Sequence, residues 1–154
     1  MSDGQRNILL LESGGRYFGF DLAEISNVVQ AVRSVPLPHS CPAIEGIINL
    51  HGKAAPVLDL SAWIGGTPKD VEIGDILVIL DVAGRCAAVR ACRARGVARV
   101  VAADVEPVTE LAAQSVYFAA VALIADEIVL LPKLSNFLAQ LTNEFALGSE
   151  PVAA

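Results

Sequence analysis

IEGIINLHGKAAPVLDLSAW, residues 44–63, decides the fold. Two runs rich in Ile, Val and Leu flank His51, Gly52 and Lys53, which predicts two strands meeting at a tight turn. Gly46 and Gly52 allow positive φ or a close approach of backbones, and Asn49 is suited to bonding its neighbouring backbone near a turn. Pro56 interrupts the second run. A brief helix is expected to start near Asp59 or Ser61, with Asp59 as its cap, and to stop at Gly65. Turn and cap chemistry explains Gly52, Pro56 and Asp59 without any appeal to function.

Outward from this hairpin the same grammar repeats. Toward the N-terminus, ILLLE (8–12) and YFGFDL (17–22) read as strands joined by the glycine turn SGGR. AEISNVVQAV (23–32) stays open between helix and strand: Ile25, Val28, Val29 and Val32 fit helical spacing, whereas the β-branched content favours a strand. Pro36, Pro38 and Pro42 then enforce an extended connection. GGTPKDVEIGD (65–75) combines glycine, proline and charge and is the candidate boundary between two halves. After it, ILVILDVAGRCAAV (76–89) predicts strand, turn at Gly84, strand; GVARVVAADV (96–105) predicts a further strand; YFAAVALIADEIVLL (117–131) predicts a strand pair turning at ADE. Leu134, Phe137, Leu138, Leu141 and Phe145 recur at helical spacing, so an amphipathic helix is expected over 134–148, followed by a disordered tail, 149–154.

The halves echo each other. GGRYFGFDLAEISNVV from Gly14 aligns with AGRCAAVRACRARGVARV from Ala83, and LSAWI at Leu60 with LSNFL at Leu134. Many short strands at even spacing, doubled, favour an all-β pair of barrels over an α/β sheet, which needs long helices between strands.

Composition narrows function by exclusion. The 154 residues suffice for one compact unit or two small barrels sharing a core. Although 54% of residues are hydrophobic, the most apolar run, Val116 to Ala125, falls short of the ~20 residues a bilayer requires, so no membrane insertion is expected. The opening MSDGQRNILLLES has no basic start or long apolar core of a secretory signal, and a cytoplasmic location is expected. A net charge of −6 argues against nucleic acid as a partner. Five of the 11 basic residues are nevertheless arginines between Arg85 and Arg99, read as a solvated strand face or, at Arg90, Arg93 and Arg95, as a surface for an acidic partner. Cys41, Cys86 and Cys92 have no zinc spacing, and Cys86 and Cys92, among small apolar residues, read as reduced, buried thiols. His39 near Cys41 lacks a third orienting group for catalysis. No GxxxxGKS, HExxH or GxSxG motif occurs, so neither enzyme activity nor a cofactor is expected.

FGFDLAEISNVV (18–29) followed by LPHSCPAIEGIINLHGKAAPVLDLSAWIG (37–65) resembles the CheW family of chemotaxis coupling proteins. The family pattern is a Gly in the second strand, a proline loop, Gly-x-x-Asn-Leu-Arg-Gly, then Pro-x-x-Asp-Leu. Its positions here are Gly19, Pro42, Gly46, Asn49, Leu50, His51, Gly52, Pro56, Asp59 and Leu60. The resemblance implies two intertwined five-stranded SH3-like barrels, about 14–66 and 75–131, with swapped terminal segments. It implies a non-catalytic adaptor between the regulatory domain of a CheA-type histidine kinase and the cytoplasmic tip of a chemoreceptor, recruited to membrane-associated arrays. By the same resemblance the binding residues are Ile25, Asn27, Gly46, Asn49, Leu50, His51 and Gly52.

Three departures bear on this. His51 stands where the family has Arg and Asn27 where it has Glu, a paired change that leaves neither charge unmatched. Ala91-Cys92 replaces Val-Asp, and Leu130-Leu131-Pro132 replaces Leu-Leu-Asp. His51, with an ordinary histidine pKa near ~6.5, offers either a pH-sensitive contact or a neutral hydrogen-bonding one. The alternatives are a CheW-like protein that binds one partner alone, as competitor or filler in a non-flagellar pathway, and a small-ligand-binding barrel.

Overall fold

The computed structural model describes residues 5–36, 44–63, 70–82, 84–107 and 118–132. The expected helix over 134–148, the tail, His39 and Cys41 lie outside them. Among the described residues, eleven strands form two sheets. The chain runs β1 (Arg6–Ser13), β2 (Arg16–Asp21), a 3-10 turn (Leu22–Glu24), β3 (Ile25–Gln30), β4 (Ile44–Leu50), β5 (Lys53–Asp59) and the short helix α1 (Leu60–Trp63). It continues through β6 (Ile76–Val82), β7 (Arg85–Ala91), β8 (Arg93–Val100), a second 3-10 turn (Ala102–Asp104), β9 (Val105–Pro107), β10 (Phe118–Ile124) and β11 (Glu127–Pro132). The segment left open on sequence is thus a one-turn 3-10 helix, capped by the Asp21 carboxylate accepting from Ala23 N at 2.9 Å, and then a strand.

The six-stranded sheet has the order β8-β1-β2-β11-β10-β9, and the five-stranded one β3-β6-β7-β5-β4. Leaving the three-residue β9 aside, the orders correspond place for place. A hairpin (β1-β2 or β6-β7) is flanked on one side by a strand arriving from the other half (β8 or β3). On the other side it pairs in parallel with the second hairpin, through β2-β11 or β7-β5. The two aligned sequence segments cover β2-β3 and β7-β8, which are the places where the chain crosses between sheets. At the second crossing Cys92 alone separates β7 from β8, and its N–H donates to the Glu12 carbonyl at 2.9 Å.

Successive side chains along a strand face opposite ways, and here both faces of the central strands are covered. Leu9, Leu11, Phe18 and Phe20 of one sheet meet Leu58, Val78, Leu80, Val89 and Ala91 of the other in a shared layer, joined by Leu60 of α1. The alternate residues fill the hollow of each sheet: Ile8, Val100, Ala122, Val129 and Leu131 in the six-stranded one, Val57, Leu77, Ile79 and Ala88 in the five-stranded one. Burial on both faces explains why ILLL and ILVIL read as unbroken apolar runs without alternation. Each fully buried Leu, Ile or Phe contributes about 1.5–3 kcal/mol. No helix among the described residues is long and apolar enough to cross a membrane.

Gly19 shows how closely the hollow of the larger sheet is filled. A Cβ there would lie 2.5 Å from Ile8 Cγ2 and 2.9 Å from Leu131 Cδ2. Gly19→Ala should cost about 1–3 kcal/mol by overpacking, read as a lower urea midpoint with an unchanged m-value. An unaltered midpoint would mean that Ile8 and Leu131 are less closely packed than described.

Candidate docking site

The five-stranded sheet is curled so that its two edge strands approach. β3 ends at Gln30, and the chain then runs back against β4, where Val35 and Ile47 exchange backbone hydrogen bonds of 2.9 Å each. That single bridge is the seam of a partly closed barrel. It requires Gly46, because a Cβ at that position would press on Ser34 Oγ and lie 2.5 Å from the Val35 carbonyl oxygen. The glycine therefore serves a close approach beside a bulge within β4 and not a turn. The turn lies further on, where His51 (φ 53°) and Gly52 (φ 88°) connect β4 to β5 and Asn49 Oδ1 accepts from Gly52 N at 2.8 Å.

Beside the seam a groove of about 290 Å³ opens into the hollow of the sheet. Val29, Val32, Val35, Ile47 and Leu50 line it, buried Leu77 and Ile79 form its floor, and Arg33 and Asn49 stand at its rim. Val32 is 54% and Val35 67% exposed, and Val29 is also exposed. Such a cluster of aliphatic side chains, facing solvent around a concave opening, is the usual mark of a binding surface.

Of the residues named on sequence, Asn49 and Leu50 line this groove, Gly46 shapes its wall, and His51 and Gly52 form the adjoining turn. Asn27 lies two residues from Val29 on β3, with its Oδ1 accepting from Val28 N at 2.8 Å, while Ile25 packs toward the shared layer. The lining valines and Arg33 were not singled out. Their signal was the run from Val28 to Val35, with apolar residues at more positions than one buried face of a strand can use.

The arginine run divides. Arg93 and Arg95 are exposed and lean toward Glu12, at 3.7 and 2.8 Å, and Arg95 lies 5.7 Å above the Tyr17 ring. Arg90 is neither a solvated residue nor a partner surface: it is 4% exposed. β7 is central in its sheet, and there the Arg90 guanidinium meets Glu45 (2.7 Å, through Nε), Asp75 (2.8 Å, Nη1) and Asp59 (3.1 Å, Nη2). Asp59 does end β5 just before α1, but its carboxylate is engaged by Arg90. Asp75 Oδ2 also accepts from Glu72 N, which ties the approach to β6 into the cluster. Burial opposes the Arg90 charge, yet the hydrogen bond and attraction of Glu45, followed by Asp59 and Asp75, outweigh it and hold its pKa above the ordinary value. Burial pushes the Glu45 carboxyl up, against the hydrogen bond and charge of Arg90, and repulsion from Asp59 and Asp75 adds to the rise. On its outer side Glu45 borders a polar recess of about 560 Å³ shared with Arg33, Ser34 and Asp70. Cys86 and Cys92 are free thiols and only partly buried, less than expected. Among the described residues no three His, Cys, Asp or Glu are grouped to hold a metal ion.

A family model described as a CheW-like domain matches residues 7–142. The chain is 20% identical over 112 residues to the chemotaxis protein CheW of Rhizobium meliloti, covering 73% of this chain and 72% of that protein. It is 30% identical over 80 residues to the chemotaxis protein CheW of Thermotoga maritima, covering 44% of this chain and 53% of that protein. The crystal structure of the scaffolding protein TtCheW from Thermoanaerobacter tengcongensis superposes with a TM-score of 0.74 at 23% identity, over 83% of this chain and 88% of that one. At that identity the likeness is one of fold, and it agrees with the all-β, two-sheet architecture.

Arg90→Met leaves three carboxylates facing an apolar side chain and should destabilise the fold by about 3–5 kcal/mol, measured by urea unfolding; a loss below 1 kcal/mol, taken as an order of magnitude of about the surface-pair value, would mean the cluster is solvated. The sign of the Glu45 effect is also fixed. Its folded pKa lies above the ordinary 4.5, so its contribution is full below that pH and is lost as pH rises through the folded value. Wild type should therefore lose stability relative to Glu45→Gln as pH rises from the ordinary glutamate range, and a constant gap would contradict the assignment.

Proposed function

The chain belongs to the CheW-like domain family, and on that premise we propose that it is a non-catalytic adaptor joining a CheA-type histidine kinase to chemoreceptor tips in a chemosensory array. The observation that carries this reading is the seam groove, an open aliphatic surface whose neighbours are Asn27, Asn49, Leu50, His51 and Gly52, the positions the family pattern marks for binding. A helix laid across such a groove buries its apolar side chains there and reads the polar rim for selectivity. A small protein with this surface serves better as a connector than as a catalyst, because the aliphatic lining offers no nucleophile, acid or base. The adaptor would act in the cytoplasm, at arrays held by the receptors.

A narrower role, binding one partner alone, is favoured by one feature. Asn27 and His51 replace the charged pair expected of the family at the receptor-facing surface, and Asn27 spends its side-chain oxygen on its own backbone. Without that pair, receptor recognition depends on the apolar groove.

Co-sedimentation with receptor cytoplasmic fragments and a CheA-type kinase separates the two roles: an adaptor is retained with both, a competitor or filler with one. Val32→Asp places a charge in the groove and should weaken the groove's partner by about 30-fold, the equivalent of one strong interface residue, with little change in melting temperature. Retention of neither partner by the wild-type chain would contradict the adaptor reading.

A further inference from the structure

We propose that the seam groove takes an acidic amphipathic helix, an aliphatic stripe flanked by carboxylates, and that Arg33 and Lys53 are the residues that select it. The inference rests on the reading of the groove as the receptor's docking site and adds the charge of the occupant, which that reading leaves open. The bridge between Val35 and Ile47 fixes how the two banks face each other: its antiparallel register, carried on, sets Arg33 across from Asn49. Arg33 is exposed and lines the opening. On the opposite bank Lys53 is paired with Leu50, and residues paired in this way project from the same face of a sheet. Leu50 lines the groove, while Lys53 is exposed beside the His51-Gly52 turn. Alternation along β5 agrees, because Val57, two steps of two residues beyond Lys53, fills the hollow of the same sheet.

Charge separates this opening from the rest of the chain. The protein carries a net charge of −6, yet among the described residues no carboxylate lines the groove. Neither Arg33 nor Lys53 has an ion-pair partner among those residues. Glu45 and Asp70 border the separate polar recess that also meets Arg33, and Glu45 is engaged there by Arg90. His51 stands where the family pattern has Arg, and Arg33 returns a guanidinium to the same opening from the other bank. A carboxylate on the helix can accept two parallel bonds from that guanidinium, to which Lys53 adds a point charge. Rim charges of this kind act on the rate of encounter and its dependence on salt, while the aliphatic anchors set the rate of release. The competing explanation is that Arg33 and Lys53 only keep an exposed aliphatic opening soluble.

Stopped-flow and equilibrium titrations of the full chain with a purified chemoreceptor tip fragment decide between them. The association rate of wild type should fall by about tenfold or more between about 50 mM and about 0.5 M salt. Arg33→Glu with Lys53→Glu should associate at least about tenfold more slowly at the lower salt and lose most of the salt dependence. Arg6→Glu with Arg99→Glu makes an equal change of net charge on the six-stranded sheet and should leave the rate within about threefold. Among tip fragments with a single glutamate-to-lysine change beside the aliphatic stripe, at least one should bind the Arg33→Glu, Lys53→Glu chain faster than the unaltered fragment does. Association of that chain at the wild-type rate, or no gain with any altered fragment, would overturn the proposal; if Val32→Asp still weakens the complex, the groove remains the docking site. If Val32→Asp binds as tightly as wild type, or wild type does not bind, the groove reading fails and this proposal with it.

Discussion

Everything in this molecule depends on the apolar layer shared by the two sheets. Neither sheet has enough side chains to bury its outer face alone, and each supplies the other's cover: Phe18 and Phe20 against Leu58, Leu80 and Val89. Because that layer takes one set of alternating residues, the opposite set is left to fill the hollow of each sheet. Crossing strands enforce the arrangement. β3 leaves the first hairpin to complete the second sheet and β8 returns to complete the first, so neither sheet is built from one continuous stretch of chain. A change on one side is therefore transmitted to the other through packing, which is dense and yields little.

The seam of the smaller sheet is the place where this economy is incomplete. Its edges meet at one bridge between Val35 and Ile47, and the aliphatic residues around it have no partner within the described residues large enough to cover them. What holds the wall of the groove in position lies on the same face of the sheet as its floor, where Arg90 is paired across from Leu77. Glu45 reaches Arg90 there, while Gly46 next to it admits the Ser34–Val35 backbone. Buried ion clusters seldom add net stability over an apolar replacement of equal shape, but they fix geometry because a misplaced charge is costly. Here the geometry being fixed is that of β4, β5, β7 and the approach to β6, the rigid frame of the groove.

Much of the fold was legible because local chemistry and tertiary structure agree. His51-Gly52 marks the β4-β5 turn, Gly84 the β6-β7 turn, and the ADE tripeptide holds the residues, Ala125 and Asp126, that adopt positive φ between β10 and β11. β3 was ambiguous since Ile25 faces the shared layer while Val29 faces the groove, so neither a period of two nor one of 3.6 emerges. Arg90 was misread for a different reason. In sequence it is one arginine among five, and its partners lie 15, 31 and 45 residues away; only the sheet order brings them together. The family pattern located Asn49, Leu50 and His51, but a pattern of turn residues says nothing of the valines beside them.

The central claim is that partners bind at the seam groove of the five-stranded sheet. Its most direct measurement is a methyl NMR titration of the chain with a chemoreceptor tip fragment, followed in the same sample by a CheA-type regulatory domain. Perturbations from at least one of them should concentrate on Val29, Val32, Val35 and Leu50, while Leu11, Leu58 and Val89 in the shared layer stay unmoved. Shifts confined to other surfaces, or no shifts with either partner, would contradict the account.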